Sequence, residues 1–124
     1  MAAKSPDKIR NIAFAGHSTC GKSSLVESLL FTGGGTDRKG SVDDGTSVCD
    51  YDDQERERNH SIDLACASVE TQDTLLQFID TPGYRDFIGQ VYCATAGTDL
   101  MAIVICCDEG IRPNTRKVWE IARD

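Results

Sequence analysis

Eight residues, Gly16-His17-Ser18-Thr19-Cys20-Gly21-Lys22-Ser23, constrain this chain more than any other stretch. They follow an apolar run from Ile9 to Ala15 and open a segment, Lys22 to Phe31, in which Leu25, Val26, Leu29 and Leu30 fall at i, i+1, i+4 and i+5. That spacing makes the one-sided stripe of an amphipathic helix, so the stretch reads strand, glycine turn, helix. The eight residues fit GxxxxGK[ST] in the context that motif requires. The glycines allow backbone N–H groups to turn inward around phosphate oxygens, and the helix start adds positive potential. Lys22 reaches β- and γ-phosphate oxygens, and Ser23 presents a hydroxyl to Mg²⁺. Residues 16–23, with Ser24 behind them, are the candidate phosphate-binding residues.

The rest of the chain supplies the elements such a turn needs around it. Gly33-Gly34-Gly35 ends the helix, and residues 36–59 are polar, charged and without sustained period, a length that inside a compact domain is usually functional or disordered. Ser61 to Val69 and Thr74 to Ile79 alternate like strands across four polar residues, which predicts an antiparallel hairpin. A helix is expected from Asp86 to about Ala96. Leu100 to Cys107, almost wholly apolar, reads as a strand covered on both faces, and Pro113 opens a last helix with Val118, Trp119 and Ala122 on one side. The order β-α-β-β-α-β-α predicts a three-layer α/β/α fold with a mainly parallel sheet. Residues 1–8 are expected to be a flexible tail.

Composition narrows the function classes. The chain has 124 residues, enough for one small domain, with 13 Lys+Arg against 20 Asp+Glu and a net charge of −7. Residues 1–40 carry +3, 41–80 carry −9 and 81–124 carry −1, so the acidity is concentrated in the middle and most simply solvates a loop. No broad positive surface is present, which argues against direct binding of duplex DNA. The longest apolar run, Leu100 to Cys107, falls far short of the roughly 20 residues that cross a bilayer, and residues 1–8 are polar, so neither a membrane span nor an export signal is expected. Cys20, Cys49, Cys66, Cys93, Cys106 and Cys107 lack the paired spacing of a zinc site. A reduced, cytoplasmic chain is expected, with Cys106 and Cys107 in the core.

A second candidate site lies 64 residues after Gly16. Asp80 ends an apolar strand and is followed by Thr81-Pro82-Gly83. A carboxylate at that point can hold a Mg²⁺ shell, usually through water. The Gly83 N–H can approach a γ-phosphate with no Cβ in the way.

Gly16 to Ser23, the run Gln54-Glu55-Arg56-Glu57-Arg58, and Asp80-Thr81-Pro82-Gly83-Tyr84-Arg85-Asp86-Phe87 together resemble the G domain of translational GTPases, most closely that of elongation factor G. The resemblance runs from about Ile9 to the last residue. It implies a partial P-loop NTPase domain in sheet order β2-β3-β1-β4, with the later strands and the Asn-Lys-x-Asp guanine motif outside these 124 residues. It implies GTP/GDP and Mg²⁺ as ligands, the ribosome as partner, and nucleotide contacts at residues 16–24 and 80–83. Ser61, at the end of the acidic loop, takes the place of the family's switch I threonine and joins Ser23 and Asp80 as an implied Mg²⁺ ligand. Residues 80–87 take the place of switch II.

At one position the chain departs from the family. Where the family has the histidine that positions the attacking water, this sequence has Tyr84, and a free phenol, with a pKa of about 10, is a poor substitute at neutral pH. His60, beside Ser61, is read as a solvated loop histidine, and His17 as a residue that shapes the phosphate turn. Three functions follow: a GTPase driving a conformational switch in translation elongation, a non-hydrolysing or slowly hydrolysing nucleotide-binding module, or a ribosome-protection or release-factor relative. An uncovered Leu100 to Cys107 strand also implies self-association through its edge.

Overall fold

A computed structural model describes residues 4–41, 43–44, 46–49 and 64–124 of the chain. The Gln54–Arg58 run, His60, Ser61 and the expected start of the hairpin lie outside the described residues. Strand β1 (Ile9–Gly16) leads through the glycine turn into helix α1 (Lys22–Thr32). Strands β2 (Ala65–Glu70) and β3 (Leu75–Asp80) form the hairpin, and a 3-10 turn (Arg85–Phe87) runs into helix α2 (Ile88–Thr95). Strand β4 (Leu100–Val104) and helix α3 (Pro113–Arg123) complete the described elements.

The sheet order is β2-β3-β1-β4. β1 pairs in parallel with both β3 and β4, and only the β2–β3 hairpin is antiparallel. The pleat divides the core in two. Phe14 faces one side with Val26, Leu30, Cys49, Val69 and Phe78, beneath α1. Its neighbour Ala15 faces the other with Val91, Val118 and Ile121, beneath α2 and α3. Successive side chains of a strand point to opposite faces, so a single central strand with Ala13, Phe14 and Ala15 all buried forces helices onto both sides. The Phe14 and Phe78 rings meet edge to face at 5.5 Å. Within the segment expected as a tail, Pro6–Lys8 forms a 3-10 turn, and Lys4 pairs with Glu70 at 3.1 Å and donates to the Thr71 carbonyl at 3.0 Å.

Three expectations about helices and strands need correction. β4 stops at Val104 rather than Cys107; its Ala102 and Val104 pack on the core beneath α1 and its Met101 and Ile103 on the core beneath α2 and α3, so both faces are covered, while Leu100 at its start is 58% exposed and Ile105 beyond its end 47%. It is an edge strand paired only with β1, so one of its sides has no neighbouring strand among the described residues. Cys107 is accordingly exposed and Cys106 half-buried, while Cys49 is the cysteine in the core.

On α3 the buried face runs through Asn114, Thr115, Val118 and Ile121, and Trp119 and Ala122 point outward. α3 crosses over β1 and α2, where Val118 and Ile121 meet Ala15 and Val91, and that contact rotates the buried stripe by about one residue from the apolar one. On α1, likewise, Leu25 and Leu29 are more than a third exposed, and the buried face is Lys22, Val26, Glu27 and Leu30.

Candidate functional site

The turn between β1 and α1 is built by left-handed backbone. Thr19 has φ 60° and Gly21, which caps α1, has φ 93°. A side chain at Gly21 would strain the backbone in this conformation, which is why glycine stands immediately before Lys22. Two reversals in three residues bend the chain around a hollow at the helix N-terminus. Lys22, the first residue of α1, is 6% exposed, and its Nζ donates to the His17 carbonyl at 2.9 Å across that turn, with the Cys20 sulfur at 3.8 Å. The lysine therefore lies along the loop with its ammonium at the loop's inner edge. His17 Nδ1 is buried with no hydrogen-bond partner among the described residues.

The second half of the site arrives on β3. Asp80 pairs across the sheet with Phe14, two residues before the glycine turn begins, so the parallel register delivers its carboxylate beside the start of α1. Asp80 is fully buried, and the Ser23 hydroxyl donates to its Oδ2. Thr81 is equally buried. Its N–H donates to the Phe14 carbonyl at 3.1 Å and its hydroxyl to the same oxygen at 2.8 Å, so its side chain fastens the turn to β1. Pro82 is enclosed beside it.

Gly83 then lies directly on the glycine turn. A Cβ built on it would stand 2.5 Å from Lys22 Nζ and 2.6 Å from both the Cα and the backbone nitrogen of Ser18. A backbone that close tolerates no side chain. Tyr84 follows at the rim, 38% exposed.

The fold thus brings together the two motifs read from the sequence: Gly16 to Ser24 on one side, Asp80 to Tyr84 on the other, with Lys22, Ser23, Asp80 and Gly83 at their junction. Ser61 lies outside the described residues. Two further residues belong to this neighbourhood and were not foreseen. Glu27, fully buried on α1, accepts hydrogen bonds from the Gly40 N–H at 3.1 Å, the Ser47 hydroxyl at 2.8 Å and the Val48 N–H. It thereby pins the first part of the acidic loop against α1. Asn114, in the first turn of α3, is 6% exposed, and its Nδ2 donates to the Gly83 carbonyl at 2.6 Å. For both, the available signal was a polar residue on the core-facing side of an amphipathic helix, where such a group is retained only with partners.

The donor set suits a magnesium ion that shares its shell with a nucleotide. Among the described residues no cluster of three or more His, Cys, Asp or Glu is placed to hold a metal. One hydroxyl and one buried carboxylate in contact supply only part of an octahedral oxygen shell, as expected where phosphate oxygens and waters complete it.

Comparison with known proteins agrees with this geometry. The model of the elongation factor Tu GTP binding domain matches residues 7–124. The chain belongs to that family. Within the family it is 36% identical over 118 residues to an elongation factor G-like protein of Mycobacterium tuberculosis, covering 95% of this chain and 16% of the relative. It is 38% identical over 109 residues to the tetracycline resistance protein TetO of Campylobacter jejuni, covering 88% of this chain and 17% of TetO. The fold superposes with a TM-score of 0.89 on a crystal structure from Thermus thermophilus at 28% identity, over 94% of this chain and 18% of that one. The chain thus spans about a sixth of the length of the curated relatives it matches. It is a translational GTPase G-domain segment with a partial P-loop NTPase fold. No helix among the described residues is long and apolar enough to cross a membrane.

Proposed function

We propose that this chain forms the Mg²⁺-dependent GTP-binding and hydrolysing part of a translation factor, whose conformational switch acts on the ribosome during elongation. The observation that carries the proposal is the contact of Ser23 with Asp80 beneath Gly83, because it joins a phosphate turn to a second loop able to respond to the terminal phosphate. Lys22 binds β- and γ-phosphate oxygens, leaving the His17 carbonyl when it does so. The N–H groups of residues 18–24 surround the phosphates at the α1 N-terminus. Ser23 and Asp80, with Ser61 from the loop, hold the magnesium shell. The ion, when bound, neutralises charge on the β- and γ-phosphates. The Gly83 N–H meets the γ-phosphate, and Tyr84 stands where the attacking water is positioned.

Guanine selectivity and the ribosome as partner rest on family membership and on relatives named as an elongation factor G-like protein and a tetracycline resistance protein. A ribosome-protection or release-factor role uses the same G-domain chemistry, and so belongs to the same proposal at the level of these residues. Family membership likewise supports a cytoplasmic location.

One observation favours a second reading. Tyr84 is exposed at the rim, and a phenol neither accepts a proton readily at neutral pH nor replaces an imidazole in orienting water. A module that binds nucleotide and hydrolyses it slowly or not at all would carry such a residue. Titration of the protein extended through the Asn-Lys-x-Asp guanine motif with fluorescent GTP, GDP and ATP, with and without EDTA, tests binding, its base selectivity and its metal dependence. Single-turnover hydrolysis in the presence of ribosomes separates the two readings. Guanine-selective, magnesium-dependent binding with ribosome-stimulated turnover supports the first, and binding without turnover supports the second.

A further inference from the structure

Gly83 poses a physical problem that Lys22 and Ser18 do not solve. Its position excludes a side chain, as the contacts with Lys22 Nζ and Ser18 require, and the residue that fits there is also the one with the greatest backbone freedom. Left to itself, the Gly83 backbone would sample many φ and ψ values, and its N–H, which belongs to the Pro82–Gly83 peptide, would rarely stay aimed at a phosphate; holding the Gly83 carbonyl on the next peptide restrains both rotations between the two groups. The chain supplies a restraint from an element remote in sequence. Asn114, 31 residues later and almost wholly buried, donates its carboxamide N–H to the Gly83 carbonyl at 2.6 Å. A carbonyl oxygen only accepts, so the amide face of Asn114 is fixed as the donor.

Asn114 is itself rigidly held. Pro113 presets the first helical residue, and the Thr115 hydroxyl accepts the Arg112 N–H at 3.3 Å, closing the first turn of α3. Val118 and Ile121 then anchor the helix on Ala15 and Val91.

We infer that Asn114 is a positioning residue, whose bond to the Gly83 carbonyl holds the turn over the phosphate cradle and so sets the preference for a triphosphate over a diphosphate. The inference rests on the nucleotide reading above and deepens it. It assigns α3, which carries none of the motif residues, a part in reading the γ-phosphate. Because Gly83 stands at the γ end of the site, releasing it weakens triphosphate binding and leaves the diphosphate, held by the turn at residues 16–24, as it was.

The test compares affinities of the full chain for GTPγS and GDP in wild type, Asn114→Asp and Asn114→Gln. Asn114→Asp keeps size and suits a helix start but has no donor, and Asn114→Gln keeps the carboxamide. The expected result is an about tenfold loss of the GTPγS-to-GDP preference in Asn114→Asp, equivalent to about 1.4 kcal/mol, with GDP affinity within about twofold of wild type. Asn114→Gln is expected to stay within about threefold of the wild-type preference. An unchanged or increased preference in Asn114→Asp overturns the inference, as does an equal loss for both nucleotides or a Gln variant as impaired as Asp, since each would assign the effect to packing. Failure of the wild type to bind either nucleotide is a separate result that removes the nucleotide reading itself, and the inference falls with it.

Discussion

The hydroxyl of Ser23, one residue into α1, donates to the carboxylate of Asp80 at the end of β3, across 57 residues of sequence. The parallel β1–β3 register makes this contact possible, because it sets Asp80 level with Phe14 and so beside the glycine turn. If the pair holds magnesium together with nucleotide, removing either member abolishes metal dependence. Ser23→Ala and Asp80→Asn are each expected to bind GTP equally well with and without EDTA, whereas the wild type weakens by roughly tenfold or more when metal is removed. The double variant is expected to lose little beyond either single one, since the two residues act as a unit. Titrations with a fluorescent nucleotide check this.

Lys22 is buried, but its one short hydrogen bond is to the His17 carbonyl in its own loop, so its removal costs about 1 kcal/mol in folding and more in binding. Lys22→Ala is expected to lower affinity for GTP and GDP by roughly a hundredfold, about 2.7 kcal/mol, while changing the melting temperature by only a few degrees. Unchanged affinity in that variant would overturn the phosphate-cradle assignment.

Tyr84 separates an enzyme from a binding module. Tyr84→His is expected to raise single-turnover hydrolysis with ribosomes by roughly a hundredfold, within the range that a positioned acid–base group contributes, without altering nucleotide affinity by more than about twofold. Equal rates in both proteins would show that Tyr84 does not limit the reaction.

Glu27 holds the loop rather than the ligand. Replacing it with Ala deprives the Gly40 N–H, the Ser47 hydroxyl and the Val48 N–H of their acceptor in a buried setting, at a cost of about 2–4 kcal/mol in unfolding free energy. Amide exchange at residues 40 and 48 is expected to accelerate more than exchange in β1, which distinguishes release of the loop from general destabilisation.

The edge of β4 predicts association of the 124-residue chain. Leu100 and Ile105 are exposed beside strand backbone that pairs with no further strand among the described residues, and a groove lined by Ile103, Ile105, Ile111 and Trp119 continues the apolar surface between β4 and α3. Sedimentation velocity is expected to show mass rising with concentration, and the Leu100→Lys, Ile105→Lys double variant to remain monomeric.

Much of this was legible from sequence because the signals were local. Gly16 to Ser23 names its own turn, Asp80-Thr81-Pro82-Gly83 marks its strand end, and the hairpin and sheet order followed from alternation and resemblance. What escaped depends on which way a helix faces. Trp119 and Ala122 look like the buried stripe of α3, yet the helix turns Asn114 and Thr115 inward instead, because Val118 and Ile121 meet Ala15 and Val91 across the sheet. Glu27 sits among leucines where a carboxylate has no evident reason to be, and its reason is a loop 13 to 21 residues farther on. β4 was drawn three residues too long, because an apolar run does not mark where pairing with the neighbouring strand ends. In each case a long-range contact decided the outcome, and no periodicity within one element encodes such a contact.

Thr81 carries a mechanical consequence. Because its N–H and its hydroxyl both grip the carbonyl of Phe14, everything upstream of it in β3, the Asp80 carboxylate included, is clamped to the strand that feeds the glycine turn. Under the proposed function, any change in the turn would begin beyond Thr81, at Pro82 and Gly83, with the Asp80 carboxylate kept level with β1.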